Sequence, residues 1–420
     1  MLPDTAELGT LGLGVGGCDV AALAERYGTP LYIYDETTLR NSARRVRAAF
    51  EPLGARISFA AKACSTPGVL RVFEEEGLDL DAVSLGEMVA SARAGFDPAR
   101  IHLHGNCKSD EEIDYALHAG IRAIVVDNVE ELGRIAALTR LHDREARVAL
   151  RLCLSINAKT HPHLQTGGGH SKFGILRGSD EERAALAALT DEPRVQLVGL
   201  HTHIGSQIAD AHLYREAATE LLSAAGELRE RGHVVEEVSV GGGWAVPYTA
   251  DGPGLEPEEV ATEIGAAFAR AGAIRPAVEP GRMLVARAGL AIYRVGAVKT
   301  RGSTRLIAVD GGMGDNPRPA LYDARYTAML AERPLGDAAG PATVVGRYCE
   351  SGDVLVENAL LPPVACGDLI CVPVSGAYQL TMASGYNLVP PPAAVMVCRG
   401  ESKLLTRRGA IDDLLNRECT

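Results

Sequence analysis

The sequence predicts an α/β chain: a (β/α)8 barrel of the TIM type, followed by an all-β domain of sandwich-like or barrel-like form that an N-terminal strand joins. Two observations carry this expectation. From Arg56 to Arg287 short apolar runs alternate with helical stretches that have charged faces, and beyond Arg287 the apolar runs continue without long helices. A length of 420 residues accommodates two such domains.

Taken in order, residues 1–36 form an N-terminal segment whose strand Leu31–Tyr34 is expected to pack with the β domain. Residues 37–286 are expected to form the barrel and residues 287–420 the β domain. The barrel strands are read at Ile57–Lys62, Leu78–Ser84, Ile101–Gly105, Ala123–Asp127, Val148–Cys153, Leu197–His203, Val235–Gly241 and Pro276–Glu279. Helical stretches such as Glu111–Ala119, Val129–Thr139, Leu213–Arg231 and Pro257–Ala271 lie between them. Eight periods in roughly 230 residues suit a closed barrel. An open doubly wound sheet competes with this reading, but no GxGxxG fingerprint follows an early strand. The later strands are read at Leu290–Val298, Arg305–Val309, Ala342–Tyr348, Asp353–Val356, Leu369–Val374 and Ala394–Cys398, punctuated by residues such as Pro317, Pro319, Gly340 and Pro341. A short helix at Ala410–Leu415 closes the chain.

Bulk composition excludes several function classes. A net charge of −12 argues against nucleic acid or an anionic membrane as the main partner. No apolar run reaches membrane-spanning length and Met1-Leu2-Pro3-Asp4 is no basic leader, so a cytoplasmic protein is expected. Nine cysteines without a CxxC pair read as reduced thiols, and no metal site is expected.

Barrels of this kind place their chemistry at the strand C-termini. Those ends carry Lys62, Ser84 with Glu87, His104-Gly105-Asn106, Asp127, Arg151, His203-Ile204-Gly205-Ser206, Gly241-Gly242-Gly243 and Glu279-Pro280-Gly281-Arg282. Only six lysines stand against thirty-six arginines, so a lysine at a strand mouth is conspicuous. A desolvated lysine amine attacks carbonyls to form a Schiff base, which arginine cannot do. Gly242 and Gly243 would let bare backbone N–H groups approach an anion, and Arg282 adds a guanidinium, at the seventh and eighth ends where such barrels often bind phosphate. A triple glycine alone serves a tight turn about as often. Together with the lysine and the acid Glu279, the set points to pyridoxal 5′-phosphate, which needs an imine lysine, a phosphate cup and a partner for its ring nitrogen. His203 would offer a flat face beneath the ring; by itself it would read as a hydrogen-bonded core histidine.

Phe59-Ala60-Ala61-Lys62-Ala63, His201-Thr202-His203-Ile204-Gly205-Ser206-Gln207, the triple glycine and Glu279-Pro280-Gly281-Arg282 resemble the barrel-type pyridoxal-phosphate-dependent decarboxylases, and within them the diaminopimelate decarboxylase family most. The second domain adds Asp310-Gly311-Gly312-Met313, Arg318-Pro319-Ala320-Leu321-Tyr322, Cys349-Glu350-Ser351-Gly352-Asp353 and Gly376-Ala377-Tyr378 in matching order. The resemblance implies that Lys62 bears the cofactor as a Schiff base, that His203 stacks on its ring and that Glu279 pairs with its nitrogen. It implies that Ser206, Gly242, Gly243, Pro280, Gly281, Arg282 and Tyr378 surround the phosphate. It implies a homodimer in which Cys349 of the partner subunit protonates the substrate carbon after carbon dioxide leaves. Arg282, Arg318, Tyr322, Glu350 and Tyr378 would hold a substrate with a second ammonium and carboxylate at its far end. Phe59, Cys64, Cys107, Trp244 and Ala394 depart from the family pattern.

Four alternatives stay open at this point. The five departures leave open a duplicated enzyme recruited to another diamino acid or a tethered acyl substrate. A decarboxylase of ornithine, lysine or arginine on the same fold would leave Arg318 without a carboxylate. An amino acid racemase would need a second base where Cys349 stands. A non-catalytic pyridoxal-phosphate-binding protein would not need the second domain.

Overall fold

The structure, a computed structural model, describes residues 1–10, 12–154, 156, 171–302, 304–416 and 418. It divides into two units. One comprises Ala43–Val246 and Pro253–Met283; the other comprises Met1–Ser42, Pro247–Gly252 and Leu284–Thr420.

The first unit is a closed parallel barrel. Its strands are Arg56–Ala60, Asp79–Ala82, Ile101–Leu103, Ala123–Val126, Ala146–Cys153, Val195–His201, Glu237–Ser239 and Arg275–Val278. Each pairs in parallel with the next, and the eighth returns to the first through Ala277 opposite Arg56 and Val278 opposite Ile57. All eight lie where the apolar runs were read, one or two residues shorter at most C-terminal ends and one or two longer at several N-terminal ends. A two-residue strand, Ile175–Leu176, extends the fifth by pairing with Leu152 and Cys153.

Local signals fix the helix starts that follow the strands. Ser84, Asn128 and Ser179 cap the helices Leu85–Ala94, Val129–His142 and Asp180–Asp191, each accepting from the backbone N–H three residues on. Ser109 and Glu112 make a reciprocal capping box at the head of Asp110–Ala119: Glu112 N donates to Ser109 Oγ at 3.1 Å, and Ser109 N to Glu112 Oε2 at 2.8 Å. A buried ion pair ties the third and fourth strand ends. Lys108 Nζ donates to Gly105 O, Val125 O and Glu131 Oε1 at 2.7–2.8 Å, with both side chains essentially inaccessible.

The second unit is built on the long strand Gly289–Arg301. Its first half pairs with Leu31–Asp35 and with Leu369–Val372, and its second half with Thr304–Val309. The sheet continues through Pro341–Val345 and Val354–Leu360 on one side, and from Leu31–Asp35 through Ala393–Cys398 and Glu401–Thr406 on the other. The N-terminal strand therefore sits mid-sheet, as the sequence implied. Leu31, Ile33, Leu290, Ile292, Cys371, Val395 and Val397 form its fully buried core. Burying each such side chain contributes roughly 1.5–3 kcal/mol against exposure.

Three strand features of the second unit escaped the sequence reading, as did Ile175–Leu176 in the first. The three are the small N-terminal sheet Glu7–Gly9, Gly12–Val15 and Cys18–Asp19, the two-residue strand Met329–Leu330, and the edge strand Glu401–Thr406. The edge strand is largely exposed, so it shows no apolar run.

Candidate active site

Glu279, immediately after the eighth strand, is fixed at both oxygens. Ser239 Oγ donates to Oε1 at 2.5 Å and His201 Nε2 to Oε2 at 3.0 Å. Ser239 ends the seventh strand and His201 the sixth, so three adjacent strand ends converge on one carboxylate. Burial works against its charge, but the imidazoles of His201 and His104 and the bonds from His201 and Ser239 outweigh it, holding Glu279 well below the usual carboxylate range. Burial pulls the His201 imidazole down to about 4, against the opposing pull of Glu279. His201 is thus a neutral ring that donates to an anion.

His203 lies two residues further along. Thr202 between them donates its hydroxyl to the Leu152 carbonyl at 2.9 Å. Burial, then the charges of Lys62 and Arg151, push His203 well below the ordinary histidine value. Its ring is neutral and suits stacking on an electron-poor heterocycle. Lys62 sits in the single turn Ala61–Ala63 that ends the first strand, between buried Ala61 and Ala63 but exposed itself. Glu87, its own pKa raised chiefly by burial, shares the field of the Lys62 ammonium.

The glycine turn packs against the eighth strand end without room for side chains. A Cβ on Gly242 would collide with the Glu279 carbonyl, and one on Gly243, at φ +97°, with the Gly205 carbonyl. Glu279 N donates to Gly241 O at 3.0 Å, and Ala60 N to Pro280 O at 3.3 Å. A Cβ on Gly281 would stand 3.1–3.3 Å from Ala60 and Ala63, against the turn that bears Lys62. Arg282 is buried and its Nη2 donates to Ser206 Oγ at 3.2 Å. Lys62, His203, Ser206, Gly242, Gly243, Glu279, Pro280, Gly281 and Arg282 thus gather at one end of the barrel.

These residues fit pyridoxal phosphate. The anionic Glu279 can hold a ring nitrogen protonated, and the neutral His203 can face the ring without charge repulsion. The Arg282–Ser206 pair beside a turn stripped of Cβ atoms suits a phosphate. Other strand-end residues stitch the barrel instead: Asp127 Oδ1 accepts from Gly174 N at 2.9 Å, and Arg151 lies over the Phe173 ring at 4.5 Å.

The remaining predicted residues belong to the β unit. Arg318, at the head of the short helix Arg318–Tyr322, is 3% exposed and donates through Nη1 to the Tyr326 hydroxyl at 2.6 Å. Its guanidinium also lies 4.8 Å from the Tyr248 ring centroid. Burial works against its charge, yet Tyr248, Tyr326 and Tyr378 raise its pKa above the ordinary value. Tyr322 and Tyr378 are half-buried, the latter with a left-handed backbone at φ +57°. Cys349 and Glu350 are exposed, Cys349 as a free thiol. Cys349 N donates to Asn387 Oδ1 at 3.1 Å, and the Tyr386 hydroxyl to Glu350 Oε1 at 2.5 Å.

Asp353 of the same motif is a scaffold residue. It is 3% exposed and accepts from Met313 N and Tyr348 N at 2.7 Å each, joining the Asp310–Met313 loop to the Cys349 turn. Ser239, Tyr248 and Tyr326 were not singled out from the sequence, and His201 carried no role there. Only His201 left a signal: it lies two residues before His203, the spacing of one strand face. Four of the departures from the family pattern, Phe59, Cys64, Trp244 and Ala394, are core residues. Phe59 packs on Phe73 at 4.3 Å between ring centroids, and Trp244 stacks on Phe50 at 5.6 Å.

Comparison with known proteins agrees with this geometry. Residues 36–286 match the family described as pyridoxal-dependent decarboxylase, pyridoxal binding domain. The chain is 41% identical over 412 residues to a diaminopimelate decarboxylase of Actinosynnema pretiosum subsp. auranticum, covering 96% of this chain and 92% of the relative. It is 41% identical over 415 residues to the Bacillus subtilis diaminopimelate decarboxylase, covering 96% and 94%. Among solved structures, the M. jannaschii diaminopimelate decarboxylase in complex with L-lysine superposes with a TM-score of 0.94 at 30% identity, covering 100% of this chain and 99% of that one.

Proposed function

The chain belongs to the pyridoxal-dependent decarboxylases, among the diaminopimelate decarboxylases, and from that premise we propose how its own residues carry out decarboxylation of meso-2,6-diaminopimelate to L-lysine and carbon dioxide. The observation that carries the reading is the Glu279 carboxylate, held as an anion by His201 and Ser239 at the barrel end that also bears Lys62.

Lys62 would hold pyridoxal phosphate through its amine, Glu279 would face the ring nitrogen and His203 the ring. Ser206, Gly242, Gly243, Pro280, Gly281, Arg282 and Tyr378 would hold the phosphate. When bound, the cofactor supplies an electron sink for the pair left behind as carbon dioxide departs. The protein's part is to keep that sink strong. Glu279 does so by remaining ionised, and His201 by staying neutral and donating rather than competing for the proton.

Arg318 would receive the distal carboxylate of the substrate and Glu350 its distal ammonium, with Arg282, Tyr322 and Tyr378 lining the same end. The tyrosines around Arg318 keep the guanidinium charged and oriented although it is buried. Cys349 would deliver a proton to the α-carbon from the second subunit of a two-fold dimer. Its exposure in the single chain and its anchoring through Asn387 support that assignment.

Carbon dioxide release from purified protein with meso-diaminopimelate, L-lysine and L-ornithine tests the substrate. A site built around a polar group rejects analogues lacking it by about 10⁴-fold. Diaminopimelate is expected to be turned over and the other two barely touched. Faster turnover of lysine or ornithine moves the chain to the other decarboxylases of this fold.

A further inference from the structure

The lumen of a TIM-type barrel is ordinarily a stack of branched apolar side chains. Here its axis is polar from end to end. At the strand N-termini Arg56 pairs with Asp79 and, at 2.7 Å, with Glu237. Half-way along, His102 stands 3.6 Å from an Asp81 oxygen and 3.7 Å from Glu237. Nearer the strand C-termini, His104 Nε2 is 3.6 Å from Asp81 and 3.9 Å from Glu279, and its ring meets the His201 ring edge-on at 4.8 Å.

Each of these imidazole–carboxylate separations is too long for a direct hydrogen bond. Asp81, His102 and His104 are only 4–8% exposed. Both Asp81 oxygens, His104 Nε2 and His201 Nδ1 make no hydrogen bond within the described protein. Buried polar atoms are almost always satisfied, by protein or by ordered water. A cavity of about 20 Å³ is lined by His104 and His201, bounded by Arg122 and Glu237 at one end and by His104, Ser239 and Glu279 at the other, with His102 between. A buried water needs roughly 10–15 Å³ and two to four polar partners. The lumen offers both.

We propose that ordered water in the lumen joins Glu279 to Glu237 by way of His104 and His102, and that these two histidines are positioning residues for the Glu279 carboxylate. A water donating to Glu279 from below adds to the bonds from His201 and Ser239, and its own oxygen is held by the imidazoles beneath. Burial works against a charge on His102, but Asp81, Glu237 and Glu279 outweigh it and raise its pKa. The positioning role rests on Glu279 being the acid that faces the cofactor nitrogen; the water does not.

A high-resolution crystal structure of the wild-type holoenzyme is the first test. Water is expected within hydrogen-bond distance of His104 and Glu279. A dry lumen overturns the proposal. So does a metal ion on His104, His201 and Glu279, whose ligand atoms lie within 4.8 Å of one another. The second test compares His104→Leu with His104→Gln, reading cofactor affinity and the ring-nitrogen resonance of ¹⁵N-labelled cofactor. His104→Leu should weaken cofactor binding by about tenfold, as for one lost bond to a charged group, and move the resonance toward the unprotonated value. His104→Gln, which keeps a polar atom, should stay within about twofold of wild type. A folded His104→Leu protein with unchanged affinity and resonance overturns the positioning role, as does a Gln variant as damaged as the Leu one. If His104→Leu does not fold, His102→Leu is read in the same way. Neither readout involves the amino acid substrate, so a wrong substrate assignment leaves both tests intact.

Discussion

His201 donates through Nε2 to Glu279 Oε2 across 3.0 Å, and burial keeps the imidazole neutral, so the acid receives its hydrogen bond from an uncharged ring. Replacing the carboxylate tests the arrangement. Glu279→Gln leaves the ring nitrogen without a charged partner, a loss of about 2–5 kcal/mol, or roughly 30- to several-thousand-fold in turnover. His201→Ala removes one bond to a charged group and should cost about tenfold or more in the same assay. Wild-type turnover in Glu279→Gln would remove the acid from the mechanism.

The His201 shift also has a sign in stability. The unfolded chain takes up the proton near pH 6.5 and the folded one at about 4. The His201 contribution is therefore fully present above pH 6.5 and is lost as the pH falls toward 4, about 3 kcal/mol in all. Urea unfolding between pH 7 and about 4.5 should show a steeper loss for wild type than for His201→Asn. Parallel pH dependences would mean that His201 titrates normally in the fold.

Gly242 has no space for a side chain against the Glu279 carbonyl. Gly242→Ala should displace either the phosphate turn or Glu279 and weaken cofactor binding by at least about tenfold, measured by titrating the apoenzyme. An Ala variant that binds the cofactor normally would separate this turn from the cofactor site.

Arg318 is caged by Tyr326 and Tyr248, so the distal-carboxylate assignment predicts an effect at one remove. Tyr326→Phe deletes the 2.6 Å bond and should raise KM for diaminopimelate by roughly five- to tenfold with a small change in kcat. Arg318→Gln should collapse the preference for diaminopimelate over lysine. A preference that survives Arg318→Gln places the carboxylate elsewhere.

The dimer assignment predicts complementation. Lys62→Ala and Cys349→Ala proteins should each be nearly inactive. After dissociation and random reassortment, half the dimers would be hybrids with one intact site, restoring about a quarter of wild-type activity. No recovery despite demonstrated subunit exchange would mean that each site is built within one chain.

The barrel was legible because parallel strands buried on both faces read as apolar runs and the stretches between them read as helices with charged faces. The residues proposed for the cofactor were legible because they fall at strand ends. The support beneath them was not. Ser239 looks like an ordinary polar residue, and His104 stands at a strand end without a role, until closure of the barrel brings Ser239 onto Glu279 and His104 to its edge. Tyr248 is seventy residues from Arg318 in sequence, and no local pattern marks that partner. Asp353 was not legible either: it stands in the same motif as Cys349, but two backbone N–H groups required an acceptor in the interior.

The central claim is that Lys62 carries the cofactor of a diaminopimelate decarboxylase. Borohydride reduction of the holoenzyme followed by peptide mass mapping tests it most directly. The cofactor mass should appear on the Lys62 peptide, reduction should abolish diaminopimelate turnover, and Lys62→Ala should lack both the visible cofactor band and the activity. Labelling of a different lysine such as Lys108, or a Lys62→Ala protein that still releases carbon dioxide from diaminopimelate at the wild-type rate, would contradict it.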